Sequence, residues 1–171
     1  KAIEIFKNKK FDLVLSINDR GYTYDEAPFL WAAKKLNIPI ILPFAAQFDI
    51  SKAQEFRKDP NGKVSPFFSA NTYPSIYKTY AKRCLKDHII NNIFFQNLFA
   101  LMSAKNTGIL SSNSWWPGNG ICDAVFVDSK YTKELYIKNK VDEEKIYIVG
   151  HPDYDLIYES LKNKKFIKKD F

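Results

Sequence analysis

The sequence predicts an α/β fold, an open parallel sheet flanked by helices, and three observations carry that prediction. Ala124 to Val127 is a short β-branched and aromatic run that stops abruptly at Asp128-Ser129 and leads into a helical pattern. Lys145 to Val149 is a second such run, ending at Gly150-His151-Pro152. Near the start, Asp12 to Ile17 and Ile38 to Pro43 are two apolar runs separated by a helical pattern. Runs apolar on both faces that end in polar residues are the mark of buried parallel strands. A strand, a helix and a strand within this length form a right-handed βαβ unit. In such sheets ligands bind at the carboxyl edge, where these loops emerge.

The elements follow in order. Lys1 to Lys7 reads as the last turns of a helix. Asp12 to Ile17 is the first strand, closed by the polar turn Asn18-Asp19-Arg20-Gly21. Asp25-Glu26 opens a helix that carries Ala27, Leu30, Trp31 and Ala33 and ends in Lys34-Lys35, which matches the helix dipole. Asn37 stops it. Pro39 sits near the start of the next strand, where a missing donor is tolerated. From Phe44 to Pro74 a long loop is expected, with a short helix near Lys52 to Lys58. Ser75 caps a helix with Tyr77, Tyr80, Ala81, Cys84, Leu85 and His88 on one stripe, running to about Asn92. A second helical piece continues to Met102, and 105–119 is a polar loop. Ser129 caps a helix through Lys138. Asp155 to Lys162 is the last helix, followed by a lysine-rich tail. Both ends of the chain read as cut from something longer, with a single domain over 1–155 and a crossover helix over 156–171.

Composition narrows the class. Of 171 residues, 46% are hydrophobic and 16% aromatic, enough for a real core, so the disordered class is set aside. The net charge of +7 favours acidic partners. Cys84 and Cys122 lack metal-ligand spacing and read as small buried hydrophobes of a reducing compartment; no metal site is expected. The most apolar stretch, Ile89 to Met102, is too short and too polar to span a bilayer. The expectation is a cytoplasmic protein, soluble or peripheral to the inner face of a membrane.

The candidate site residues sit at strand ends. Asp19 is placed to act as a base or to hold a sugar hydroxyl, and Arg20 to hold a phosphate; the alternative is a plain turn or N-cap cluster. His151 follows a glycine at a strand end, as a donor, base or phosphate contact, or as part of a rigid hinge with Pro152. Trp115 and Trp116 suit a sugar-stacking loop or a buried aromatic plug. Gly118 and Gly120 permit close backbone approach to a ligand, but no phosphate-cradling signature is present. His88 reads as a satisfied core histidine. Lys78, Lys82, Arg83 and Lys86 interleave with tyrosines, which fits an anionic membrane surface or a solvated basic face. Nucleic acid is not favoured as a partner.

The run from Trp116-Pro117-Gly118-Asn119-Gly120 through Asp123 to Ser129, Tyr131 to Glu134, and Lys145 to Pro152 with Asp155 resembles the amino-terminal half of GT-B glycosyltransferase-like proteins. That group includes the NDP-sugar 2-epimerases of surface-polysaccharide synthesis. Residues 12–39 are similar to the same group's strand, acidic turn, helix and Ile-Pro strand. The resemblance implies two Rossmann-like domains facing a cleft, with this chain as the acceptor-side one. A nucleotide-sugar donor would belong to the missing carboxyl-terminal domain, and this half would bind no cofactor. It would be inactive alone. The epimerases carry Gly-Asp-Thr after the early strand, and Asn18-Asp19-Arg20 keeps only the aspartate. They carry His-x-Glu-Ala-Gly after the Ile-Pro strand, where Pro43 to Gln47 has no acid. Asp19 is thus the one catalytic residue carried over, for acceptor activation, with Arg20, Trp115, Trp116, Gly118, Gly120 and His151 lining the acceptor side. The function expected is the acceptor-binding half of a glycosyltransferase taking a sugar or lipid-linked acceptor. The alternatives are a UDP-GlcNAc 2-epimerase relative, or a non-catalytic module docking on membrane or partner.

Overall fold

A computed structural model describes residues 1–20, 26–43 and 49–163. Four parallel strands, β1 (Val14–Leu15), β2 (Ile40–Leu42), β5 (Ala124–Val127) and β6 (Ile146–Ile148), pair in the order β1-β2-β5-β6. The register sets Val14 beside Ile40, Leu42 beside Val125, and Val125 beside Ile146. These side chains share one face and are largely buried. Helices α1 (Ala2–Lys9), α2 (Ala27–Lys35) and α6 (Lys130–Lys138) supply Phe6, Leu30, Ala32, Ala33 and Tyr136 to the same core. Each fully buried aliphatic side chain there stabilises the fold by about 1.5–3 kcal/mol. The α/β class and the helix-flanked parallel sheet are as the sequence predicts.

The other sheet face is apolar but open. Leu15 is 63% and Ile17 84% exposed, and Tyr147 stacks edge-on against Phe126 at 6.1 Å while half exposed itself.

Local chemistry explains the element ends. The Ser129 hydroxyl accepts from Thr132 N and so caps α6. Asp49 caps α3 (Ile50–Glu55) by accepting from Ser51 N and Lys52 N. Asn97 caps α5 (Leu98–Thr107), which ends at Gly108 with φ 75°. Asp25, Phe44 to Gln47 and the lysine-rich tail lie outside the described residues. The last helix, α7 (Pro152–Asn163), begins three residues before the expected Asp155. Proline at a first helical position loses no intrahelical bond, which allows the earlier start.

The segment between β2 and β5 departs most from expectation. Helix α4 (Ser75–Cys84) ends well before Asn92, and a short 3-10 turn over Lys86–His88 follows. The chain then makes an antiparallel hairpin, β3 (Ile89–Ile90) with β4 (Ile93–Phe94). Asn91 and Asn92 have φ 53° and 59°. Two asparagines in left-handed geometry between the apolar pairs Ile89-Ile90 and Ile93-Phe94 make a type I′ hairpin turn, which a helix reading of Ile89 to Met102 overlooks. Two small cores result. Ala81, Leu85, Phe94, Leu98 and Leu101 form one, and Ala53, Ile93, Phe95 and Trp115 form the other. Through Ile50 the second core touches the main one. The segment folds over the carboxyl end of β1, and that placement decides the environment of Asp19 and Arg20.

Candidate functional site at the carboxyl edge

Asp19 follows β1 and is fully buried, at 0% exposure. Its carboxylate accepts from Gly118 N at 3.1 Å, Gly120 N at 2.8 Å and the Cys122 thiol at 3.0 Å. Its backbone carbonyl accepts from Ile121 N at 3.3 Å. One aspartate thus anchors the loop that enters β5. Gly118 has φ 85°, which only glycine adopts easily, and Gly120 passes so close that an added Cβ would stand 1.8 Å from the Asp19 carbonyl oxygen. Gly120 therefore serves the close approach to Asp19, while a Cβ at Gly118 would crowd Val141 and Val125. The Cys122 thiol is pushed well above its ordinary range, first by burial and then by the adjacent Asp19 charge. It stays a protonated donor to the carboxylate.

Arg20 is also buried. Its Nη1 donates to the Ser114 carbonyl at 3.3 Å and its Nε to Asn18 Oδ1 at 3.3 Å, while the guanidinium lies 4.7 Å from the Phe95 ring centre. Arg57, which nothing in the sequence singles out, lies 4.4 Å from the same ring and 5.1 Å from Trp115. It donates to the Phe95 carbonyl at 2.7 Å and to the Ala53 carbonyl. Phe95 thus carries two buried guanidinium groups, each within range of a cation–π contact.

The tryptophans are placed differently from a cleft lining. Trp115 is 0% and Trp116 4% exposed. Trp115 meets Phe95 edge-on at 5.3 Å, and Trp116 meets Tyr136 at 5.6 Å. The reading of a sugar-stacking loop is corrected to an aromatic plug, because Trp115 fills a satellite core and Trp116 the main one. Burial also pushes the Tyr136 hydroxyl far above its ordinary range, with Arg20 acting against it and Asp19 with it.

His88 joins the same buried layer. Its Nδ1 lies 2.7 Å from Ser114 Oγ and accepts from Ser114 N at 3.3 Å, so Nδ1 is the unprotonated nitrogen. Ser111 Oγ stands 3.0 Å from Ser114 Oγ. Burial lowers the His88 pKa to about 4. With Ser114 fully buried, the pair holds the loop and does not expose a nucleophile.

His151 stands apart from this layer. Its side chain is 25% exposed, its Nδ1 accepts from Asp153 N at 3.1 Å to cap the start of α7, and its ring lies 4.9 Å from Tyr154. Beside it, at the end of β5, is Asp128, which sequence reasoning passed over. Val149 N donates to the Val127 carbonyl at 3.0 Å, so the ends of β5 and β6 are held side by side. Asp128 accepts from the Ser129 hydroxyl at 3.0 Å. Its carboxyl is held below the ordinary range, first by a hydrogen bond from Thr132, then by Ser129 and by the nearby His151. The signal available in sequence was an acid directly before a capping serine at a strand end.

Two groups of residues therefore mark the edge. Asp19 meets Gly118 and Gly120, Arg20 stacks on the Phe95 ring that Trp115 also touches, and Trp116 lies apart in the main core. His151, in contact with Asp153 and Tyr154, lies near Asp128 at the ends of β6 and β5. Lys82, Arg83 and Lys86 face solvent, while Tyr77 and Tyr80 of α4 pack on the core of Leu85 and Phe94. A polar cleft of about 410 Å³ between Asp87, Asn113 and Lys138 includes none of these site residues. Among the described residues no cluster of His, Cys, Asp and Glu fits a metal ion, and no helix is long and apolar enough to cross a membrane. No protein-family model, curated protein or solved structure matches the chain.

Proposed function

We propose that the chain is the acceptor-side, GT-B-type domain of a glycosyltransferase of surface-polysaccharide synthesis, working with a second domain that holds a nucleotide-sugar donor. The observation that carries the reading is the placement of Asp128 and His151 at the adjacent carboxyl ends of β5 and β6, near enough that His151 helps hold the Asp128 carboxyl below its ordinary range. Acid and imidazole at that edge are the groups needed to orient and deprotonate an acceptor hydroxyl. Asp19 takes a different part from the one its position suggests. It positions the loop into β5, and thereby β5 itself, and the acceptor-activating role passes to the Asp128–His151 pair. Lys82, Arg83 and Lys86 offer a basic surface for an anionic membrane carrying a lipid-linked acceptor.

Transfer is tested by supplying UDP-N-acetylglucosamine and a membrane extract to the protein with its donor domain and following UDP release. Release that requires the extract supports the transferase. N-acetylmannosamine formed without extract would replace it with the 2-epimerase reading. Neither product, together with binding to anionic vesicles, would replace both with a docking module.

A further inference from the structure

Helix α7 (Pro152–Asn163) is 12 residues long, and every described side chain from 153 to 162 is exposed. Tyr154, Ile157, Tyr158 and Leu161 recur at i, i+3, i+4 and i+7, so they form one apolar stripe along it. A helix of this length is marginal in water unless such a stripe is packed. Its start is fixed to the end of β6, because His151 Nδ1 accepts from Asp153 N at 3.1 Å and the His151 ring lies 4.9 Å from Tyr154.

The sheet carries the matching surface. Leu13, Leu15 and Ile17 alternate along β1 and its flanks, and Tyr147 and Val149 along the end of the sheet at β6, all exposed. The register places Ile41, Ala124 and Phe126 between them, each only partly buried. One face is therefore apolar across all four strands, while α1, α2 and α6 pack on the other. All-parallel sheets occur with both faces covered.

We propose that the open sheet face and the α7 stripe form one interface, in which two copies of this chain exchange α7 and each lays its stripe on the other's sheet. Both surfaces lie on one chain, so a single two-fold axis satisfies them together and closes the assembly. The five sheet side chains and the four of the stripe, each exposing roughly 100 Å², offer about 900 Å² per copy, against about 800 Å² per partner in a stable interface. At about 1.5 Å per residue α7 spans about 18 Å, enough to cross four strands about 4.8 Å apart. Charge agrees. Asp153, Asp155 and Glu159 of α7 outnumber its Lys162, whereas the whole chain carries +7, and Lys145 directly precedes β6 at the sheet's amino edge. An acidic helix is thus drawn to a basic body. The inference does not rest on the sugar-transfer reading.

Sedimentation equilibrium of the chain at micromolar concentration tests it, and the mass of a dimer is expected. Ile157→Asp with Leu161→Asp spoils the stripe, and Leu15→Lys with Tyr147→Lys spoils the face. All four side chains are exposed, so both double variants should fold, which near-UV circular dichroism of the buried Trp115 and Trp116 checks. Each should dissociate at least tenfold more readily than the wild type. Mixed in equal amounts, the two should form a heterodimer, seen by native mass spectrometry, that neither forms with itself. The intact α7 of one then meets the intact face of the other. A monomeric wild type would overturn the proposal. So would a folded variant of either kind that still dimerises, since stripe would then pack on stripe or face on face. A mixture that stays monomeric would overturn the exchange as well.

Discussion

Asp19 and Asp128 both sit just past the end of a strand in one parallel sheet, and they have opposite environments. Asp19 is sealed off, and its two carboxylate oxygens receive two backbone N–H groups and a thiol. Asp128 is only partly buried, supported by hydroxyls of its own helix start and placed near His151. The cause is topological. The long segment between β2 and β5 folds back over the end of β1, while β5 and β6 are joined by α6 and one short turn. A strand-end acid is thus structural or chemical according to where its acceptor capacity is spent, and position on the sheet alone does not decide which.

The sharpest way to break the comparison is Gly120→Ala. An added Cβ would meet backbone, not a flexible side chain, 1.8 Å from the Asp19 carbonyl oxygen. The loop must move, and Asp19 then loses its donors together. A loss of more than about 4 kcal/mol is expected from the overpacking and the broken buried network. Denaturant unfolding measures it, and a loss under about 1 kcal/mol would show that the loop is not held by Asp19. Asp19→Asn comes next. The amide keeps one acceptor but turns an NH₂ toward an N–H group, leaving a buried donor unpaired and removing the charge-assisted bonds. About 3 kcal/mol is expected. A fold as stable as the wild type that has lost transfer activity would instead restore Asp19 as the base.

Much of the sheet was legible because its signals are local. The runs at Val14, Ile40, Val125 and Ile146 are short, β-branched and bounded by turns, and Ser129 caps as its chemistry dictates. The hairpin at Asn91-Asn92 was equally local but was masked by a long apolar stretch that also fits a helix. The environment of the site was not legible, because it depends on long-range contacts. Asp19 meets Gly118 and Gly120 across about a hundred residues of sequence. Arg57 reaches Phe95 and Trp115 from a short helix with no motif around it. No spacing rule places a tryptophan pair inside two different cores.

His88 tests the buried layer by pH. Its folded pKa of about 4 lies below the ordinary value of 6.5, so the unfolded chain binds the proton first. The stability it contributes is complete above about pH 6.5 and declines as pH falls toward 4, below which the decline ends. Between pH 7 and 5 the loss is about 2 kcal/mol. Urea unfolding of the wild type and of His88→Gln at both pH values isolates it. The variant should lack that part of the slope, and an identical slope would mean that His88 is solvated in the folded protein.

Asp128→Asn should move stability least and chemistry most, which is the opposite of Asp19→Asn. The carboxyl is depressed by hydrogen bonds from Thr132 and Ser129 that an amide oxygen can still accept, so the helix start survives. A partly exposed charge such as Asp128 contributes less than about 1 kcal/mol to the fold. Its depressed pKa adds stability that is full above the ordinary carboxylate value, and the small difference between variant and wild type should fade as pH falls from that value through the lower folded one. In the transfer assay the same change removes the negative charge near His151. If the pair prepares the acceptor hydroxyl, kcat falls by about 10²–10⁴ while Tm stays within a few degrees of wild type. Transfer at the wild-type rate would show that the open pair is as structural as the buried one, and the distinction between the two acids would then be one of exposure alone.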